Sequence, residues 1–233
     1  MTIAVAFGLM GAFFMAGIYV AGALGLLALV LMHAFSDAPL WNIMANRAWT
    51  TYTDFILVAI PLFILMGELV LRSGVAERMY QTLSHWVSLI PGGLMHTNIA
   101  SCAVFAACSG HSAATAATIS RVSLPSFRAR GYNERLVVGS LAAGGTLGIL
   151  IPPSILLVLY GLTTGVSVGR LFLAGFIPGA VLSVAFMIAI ALIAKICPGV
   201  APKEPSASWR LRIISLIAIL PVLLLIFLVL GSI

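Results

Sequence analysis

The sequence predicts an all-α polytopic membrane protein in which one segment dips into the bilayer and returns, and a second helix is broken partway. Three observations predict it. The 233 residues are 62% hydrophobic and only 8% charged, where a soluble domain carries about 25% charged residues. The apolar runs are unbroken rather than alternating, which favours helices over the strands of a membrane barrel. The Lys and Arg residues sit at the ends of those runs, where the positive-inside rule puts them. That arrangement sets nucleic-acid binding aside despite a net charge of +6. Cys102, Cys108 and Cys197 show neither CxxC nor paired spacing, so no disulfide framework or transition-metal site is expected.

Apolar runs cover 3–32, 54–71, 97–120, 136–164, 171–194 and 211–231. The first begins without the basic n-region of a signal peptide. It fits one tilted span or two short ones broken near Gly17. Residues 33–53 hold Trp41, Trp49 and Tyr52, which suit the headgroup level. The stretch 72–96 carries Arg72, Glu77, Arg78, His85 and Trp86 among apolar residues, as an amphipathic surface helix does. RVSLPSFRARGYNER (121–135) has four arginines, and KICPGVAPKEPSASWRLR (195–212) reads as a proline-rich basic linker.

If 72–96, 121–135 and 195–212 all face the cytoplasm, they hold ten of the twelve Lys and Arg, leaving only Arg47 and Arg170 outside. That asymmetry sets an orientation and a parity condition. The chain must leave near residue 96 and return by 121 on the same side. Each arm then has about 13 residues, roughly 20 Å of helix, too short to cross a core about 30 Å thick. A re-entrant hairpin satisfies both limits, with CSGHS (108–112) as its tip. Backbone exposed at that depth needs protein or a water-filled cavity around it.

No charge lies between Arg135 and Arg170, a gap of 34 residues, which as one straight helix spans roughly 50 Å. Pro152 and Pro153 lack N–H groups and disfavour helix before them. Gly144, Gly145 and Gly148 lower the cost of leaving helical geometry. The run 136–164 is therefore expected to be discontinuous, broken around 144–154.

A broken helix beside a re-entrant hairpin is an architecture that holds ions and substrates at the bilayer midplane. Ser109, Ser112, Thr115 and Thr146 add hydroxyl oxygens suited to a hard cation. The same small residues also suit plain helix packing. His111 either lines a polar cavity, caps the hairpin or titrates. A Ser112–His111 hydrolase lacks an oriented acid. Glu68 lies four residues before Arg72, which reads as an ion pair, and Asp54 as solvated.

IPLFILMGELVLRSGVAERM (60–79), IPGGLMHTNIA (90–100), SGHSAATAATI (109–119), RARGY (128–132), GGTLGILIPPSILLVLYG (144–161) and GVSVGRLFLAGFIPG (165–179) together resemble the large permease subunit of TRAP transporters, the DctM type. The resemblance covers most of residues 50–200. It implies the first repeat of an inverted-repeat ion-transporter fold, and sodium-coupled import of a small organic acid, such as a dicarboxylate or sugar acid, across a bacterial inner membrane by an elevator movement. Sodium is the coupling ion, with no other cofactor and no enzymatic activity. The implied partners are a small four-helix membrane subunit, a periplasmic substrate-binding protein and the C-terminal half of the permease.

By the same resemblance, Ser109, Gly110, Ser112, Gly145, Thr146 and Pro152 form a sodium site, and His111, Thr115, Pro153 and Ser154 contribute to the substrate site. The family commonly has serine where this chain has His111. The implied organisation is a scaffold of membrane helices and interfacial segment (1–53) and a scaffold arm (54–93). A transport region (94–165), a membrane helix (166–196) and a cytoplasmic linker (197–210) follow. Residues 211–233 correspond to the first helix of a second repeat. Family members run to about twice this length, so this chain is expected to carry half a site. The alternative is a non-transporting remnant or assembly component that keeps the fold. In the family the first apolar run is two short helices joined near the position of Gly17, which by parity puts the N-terminus outside.

Overall fold

The computed structural model describes residues 2–35, 39–87, 89–197, 199–202 and 208–231. All regular structure among them is helical. The chain forms two compact units, Met1–Asp54 and Phe55–Ile233. Two helices, Phe55–Arg72 and Val168–Ile196, are each long and apolar enough to cross a membrane, and Trp209–Ala218 with Leu220–Val229 makes a third, bent by 43°.

In the first unit, the long apolar run is two helices, α1 (Thr2–Met15) and α2 (Val20–Phe35). They are separated at Gly17, whose φ of +73° is a conformation glycine adopts without steric cost. Helix α3 (Leu40–Tyr52) carries Trp41, Trp49 and Tyr52, all exposed. Asp37, in the stretch read as interfacial, lies outside the described residues.

The second unit is built around one helix. Helix α4 (Ala59–Arg72) follows a 3-10 turn at Phe55–Val58. The amphipathic stretch forms α5 (Val75–Val87), which buries Ala76, Met79, Tyr80 and Thr82 on one face. Next comes α6 (Leu94–Ser109), in which 13 of 16 residues are buried, so it is the core helix rather than a surface one. Its sequence has no charge to exclude it from that position. Helix α4 packs on α6 where Gly67 leaves room: a Cβ there would stand 3.2 Å from Ser109 Cα.

The core is polar at one level. The Tyr80 hydroxyl donates to Asn98 Oδ1 at 3.3 Å, and Asn98 Nδ2 donates to Ser140 Oγ at 2.8 Å. Burial pushes the Tyr80 phenol above its ordinary range, which keeps it a donor. These bonds tie α5, α6 and α8 (Glu134–Thr146) together. The Tyr132 hydroxyl accepts from Leu94 N–H at 3.1 Å and its ring packs edge-on to Phe127.

Helix α7 (Ser112–Arg130) runs antiparallel to α6 as the second arm of a helical hairpin. Its length corrects one expectation. The arginine-rich stretch from 121 was read as an interruption, but the helix continues through Pro125 to Arg130 and stops at Gly131, φ +71°. Arg128 and Glu134 form an ion pair at 3.5 Å across that turn. The two arms are therefore about 24 and 28 Å long, longer than the 20 Å expected.

The break in the second half also shifts. Helix α8 persists to Thr146, a 3-10 turn follows at Leu147–Ile149, and regular structure is lost only between Leu150 and Ser154. The Pro152–Pro153 peptide is cis. Helix α9 (Ile155–Thr164) then resumes and ends at Gly165, φ +70°. The long α10 (Val168–Ile196) follows. The last apolar run is not one helix: α11 (Trp209–Ser215), a 3-10 turn and α12 (Leu220–Gly231) bend just before Pro221, whose ring cannot continue an uninterrupted helix. Lys203, Glu204 and Pro205 of the expected linker lie outside the described residues.

Candidate functional site at the hairpin tip

Four helix ends meet near residue 110. Helix α6 ends at Gly110, whose φ of +60° turns the chain, and α7 begins after His111, an extended N-cap. The carbonyl of Gly110 accepts the N–H of Ile155 at 3.2 Å, so the first amide of α9 is held by the hairpin tip. Ser154 is buried, and its hydroxyl donates to the Ile149 carbonyl at 2.7 Å, bridging the break. Two carbonyl-rich C-terminal ends, of α6 and α8, thus face two amide-rich N-terminal ends, of α7 and α9. The former favour cations and the latter anions.

This approach requires glycine. A Cβ on Gly110 would stand 2.8 Å from Pro153 O, and one on Gly148 would stand 2.8 Å from His111 O and 2.9 Å from Thr115 Oγ1. A Cβ on Gly145 would stand 2.7 Å from Ala116 Cβ, and one on Gly144 2.9 Å from Cys102 Sγ. Gly144 and Gly145 therefore do not loosen the backbone, as the sequence reading had it. Gly144 and Gly145 keep α-helical geometry, Gly148 lies in the 3-10 turn that opens the break, and all three let the hairpin lie against this segment.

Oxygens cluster at the tip. Ser109 Oγ and Thr115 Oγ1 are 2.6 Å apart and buried, and Thr115 Oγ1 donates to the His111 carbonyl at 3.0 Å. Ser109 Oγ lies 3.5 Å from the same carbonyl. Ser112 is half-buried beside them. His111 is exposed, its Nδ1 accepts the Ala114 N–H at 3.3 Å as the N-cap of α7, and it also lines the cleft beside the tip, so the cap and cavity alternatives are both met.

The structure brings together Ser109, Gly110, His111, Ser112, Thr115, Gly145, Pro153 and Ser154 from the expected set. Two others sit differently. Thr146 is exposed, and its hydroxyl turns back to Ala143 O at 2.6 Å. Pro152 packs on α10, where a Cβ at Gly175 would meet its Cδ at 3.6 Å.

Beside the tip lies a cleft of about 260 Å³ lined by Gly67, Glu68, Ser109, His111 and Thr118 among apolar side chains. Thr118 and the Gly67–Glu68 step were missed as site residues in the sequence; the signal present was an acid inside an apolar run. Glu68 does pair with Arg72 at 2.8 Å, as its spacing predicts, and lines the cleft as well.

With this geometry in place, residues 7–233 match the family described as tripartite ATP-independent periplasmic transporter, DctM component. The chain is 35% identical over 210 residues to the C4-dicarboxylate TRAP transporter large permease protein DctM of Vibrio cholerae, covering 90% of this chain and 46% of that protein. It is 37% identical over 190 residues to the protein of the same name in Pseudomonas aeruginosa, covering 82% and 44%. Against the sialic acid TRAP transporter large permease protein SiaM of Vibrio cholerae it is 34% identical over 189 residues, covering 81% and 44%. The chain spans about half the length of the curated relatives it matches.

Proposed function

This chain belongs to the DctM family of TRAP transporter large permeases, membrane proteins of transport and not enzymes, and from that premise we propose that it forms the first half of a sodium-coupled importer of a small organic acid. The observation that carries the reading is the meeting of the hairpin tip with the broken helix, Gly110 O against Ile155 N–H. Both elements lose their continuous hydrogen-bond ladders at one place; Gly110 O and Ile155 N–H bond each other there, and the neighbouring end carbonyls and amides are left for ligands.

The donor set fits sodium. The hydroxyls of Ser109, Ser112 and Thr115 offer oxygen, as do the carbonyls of Gly110 and His111, and hard cations take oxygen ligands. Gly145, Thr146 and Pro152 contribute main-chain oxygens in this proposal. The amides at the start of α7 and α9, with His111, Pro153 and Ser154 near them, receive the carboxylate of the substrate. In this reading α6 and α7 form a re-entrant hairpin, and 94–165 is the transport region that moves as an elevator against a scaffold of 1–53 and 54–93. The α10 segment (166–196) and a cytoplasmic linker (197–210) lead to 211–233, the opening helix of a second, inverted repeat.

The relatives are named for C4-dicarboxylate and sialic acid, and ectoine is named for another. An organic acid is the class this chain is proposed to move, with a periplasmic binding protein delivering it and a small membrane subunit beside it. The test is uptake of labelled C4-dicarboxylate and sialic acid into proteoliposomes holding the complete permease, its small subunit and its binding protein. A sodium gradient is expected to drive uptake of one of them. Ser109→Ala with Thr115→Val is expected to raise the sodium concentration for half-maximal uptake about tenfold, the equivalent of one lost charge-assisted contact. Uptake that ignores the sodium gradient overturns the coupling.

A further inference from the structure

We propose that the corner where α5 meets α11 binds the phosphate of an anionic phospholipid headgroup. The corner is built by residues 123 or more apart in sequence. Thr82 Oγ1 lies 2.9 Å from Arg78 O and 3.0 Å from Ser215 O, which ties the two elements together. Trp86 and Trp209 meet with ring centroids 5.7 Å apart, tilted by 53°. The guanidinium carbon of Arg212 lies over the Trp209 ring, 5.6 Å from its centre, a cation–π contact.

The chemistry of this corner is that of a headgroup site. Arg78, His85 and Trp86 lie on the side of α5 that holds Thr82, three or four residues from it. Arg210 and Arg212 come from the start of α11. The one acid on α5, Glu77, is exposed and lies within 3.5 Å of Gln81 Nε2. Among the described residues no carboxylate pairs with Arg212, and its Nε–H is buried without a hydrogen-bond partner. The nearest acid in sequence, Glu204, lies outside the described residues. A guanidinium placed over an indole keeps its remaining N–H groups available, and a guanidinium can take phosphate oxygens two at a time.

Position selects a lipid over a free anion. Trp209 stands where the polar linker gives way to the apolar run 211–231. Trp86 lies at the end of an amphipathic helix, one turn beyond the buried Thr82. Tryptophans at such a boundary sit at headgroup depth, and basic residues next to them gain attraction from anionic lipid, each by about fivefold in affinity.

The experiment measures retention of phosphatidylglycerol and of phosphatidylcholine by the purified full chain in detergent, by native mass spectrometry. Wild type is compared with Arg212→Gln, Arg212→Lys and Arg170→Gln, the last removing one charge from the start of α10. Arg212→Gln is expected to lower phosphatidylglycerol retention about fivefold and leave phosphatidylcholine unchanged, with Arg170→Gln matching wild type. Arg212→Lys, which keeps the charge and the fold, is expected to fall between. Equal losses for Arg170→Gln and Arg212→Gln mean non-specific charge and overturn the site. Wild-type retention in Arg212→Lys overturns the guanidinium's paired contact. Displacement of the lipid by inorganic phosphate at millimolar concentration assigns the corner to a free anion and overturns the lipid.

Discussion

Gly148 shows how little space one residue has at the candidate site. Its missing side chain is occupied by the His111 carbonyl and the Thr115 hydroxyl, the same oxygens proposed for the ion. Gly148→Ala is expected to destabilise the protein by about 1–3 kcal/mol through overpacking and to abolish sodium dependence, read by denaturant unfolding in mixed micelles and by uptake. His111 makes a separable prediction. If it acts as the N-cap of α7, His111→Asn retains stability because asparagine supplies the same acceptor, while His111→Ala loses about 1 kcal/mol. Equal losses in the two variants would show that the cap bond adds no stability and that the residue matters through the cleft it lines. The hydroxyls and the tip glycine were legible in the sequence because polar and helix-breaking residues stand out in an apolar run. The packing role of Gly144, Gly145 and Gly148 was not. A single sequence gives the same letter to a glycine that bends the backbone and one that admits a neighbour.

Prolines and charges, at the scale of elements, proved to be different kinds of marker. Pro152 and Pro153 located the break because a missing N–H is a local fact about the backbone. The arginines after 120 marked where side chains reach polar surroundings, and long basic side chains do that without ending a helix. Hence α7 runs ten residues further than the apolar pattern. The polar tie among Tyr80, Asn98 and Ser140 was invisible in sequence because its partners lie 18 and 42 residues apart. It has a measurable consequence. Ser140→Ala strands the buried Asn98 amide and is expected to cost about 1–3 kcal/mol. Asn98→Leu combined with Ser140→Ala removes both halves of that bond, and is expected to recover part of the loss. A double variant less stable than Ser140→Ala would show that Asn98 is held mainly by Tyr80.

Orientation belongs to the whole molecule, and it rests on charge alone. Ten of twelve basic residues fall in three segments, and moving them across the bilayer would put most of the positive charge on the wrong side. The chain carries its own probe for this. Of its cysteines, Cys102 and Cys108 are buried in α6, while Cys197 is exposed just past the C-terminal end of α10. A membrane-impermeant maleimide therefore has one accessible thiol in the folded protein, at the edge of the segment proposed to be cytoplasmic. In inside-out vesicles Cys197 is expected to label readily, and in right-side-out vesicles only after the membrane is permeabilised. Cys197→Ser is expected to remove the signal, and denaturation to expose the other two thiols. Labelling of intact right-side-out vesicles would place the end of α10 outside and reverse the orientation. It would also move the α5–α11 corner to the outer leaflet, if both linker ends share one side. The candidate ion site would survive that reversal, since its contacts are internal to 55–233; the proposed direction of import would not.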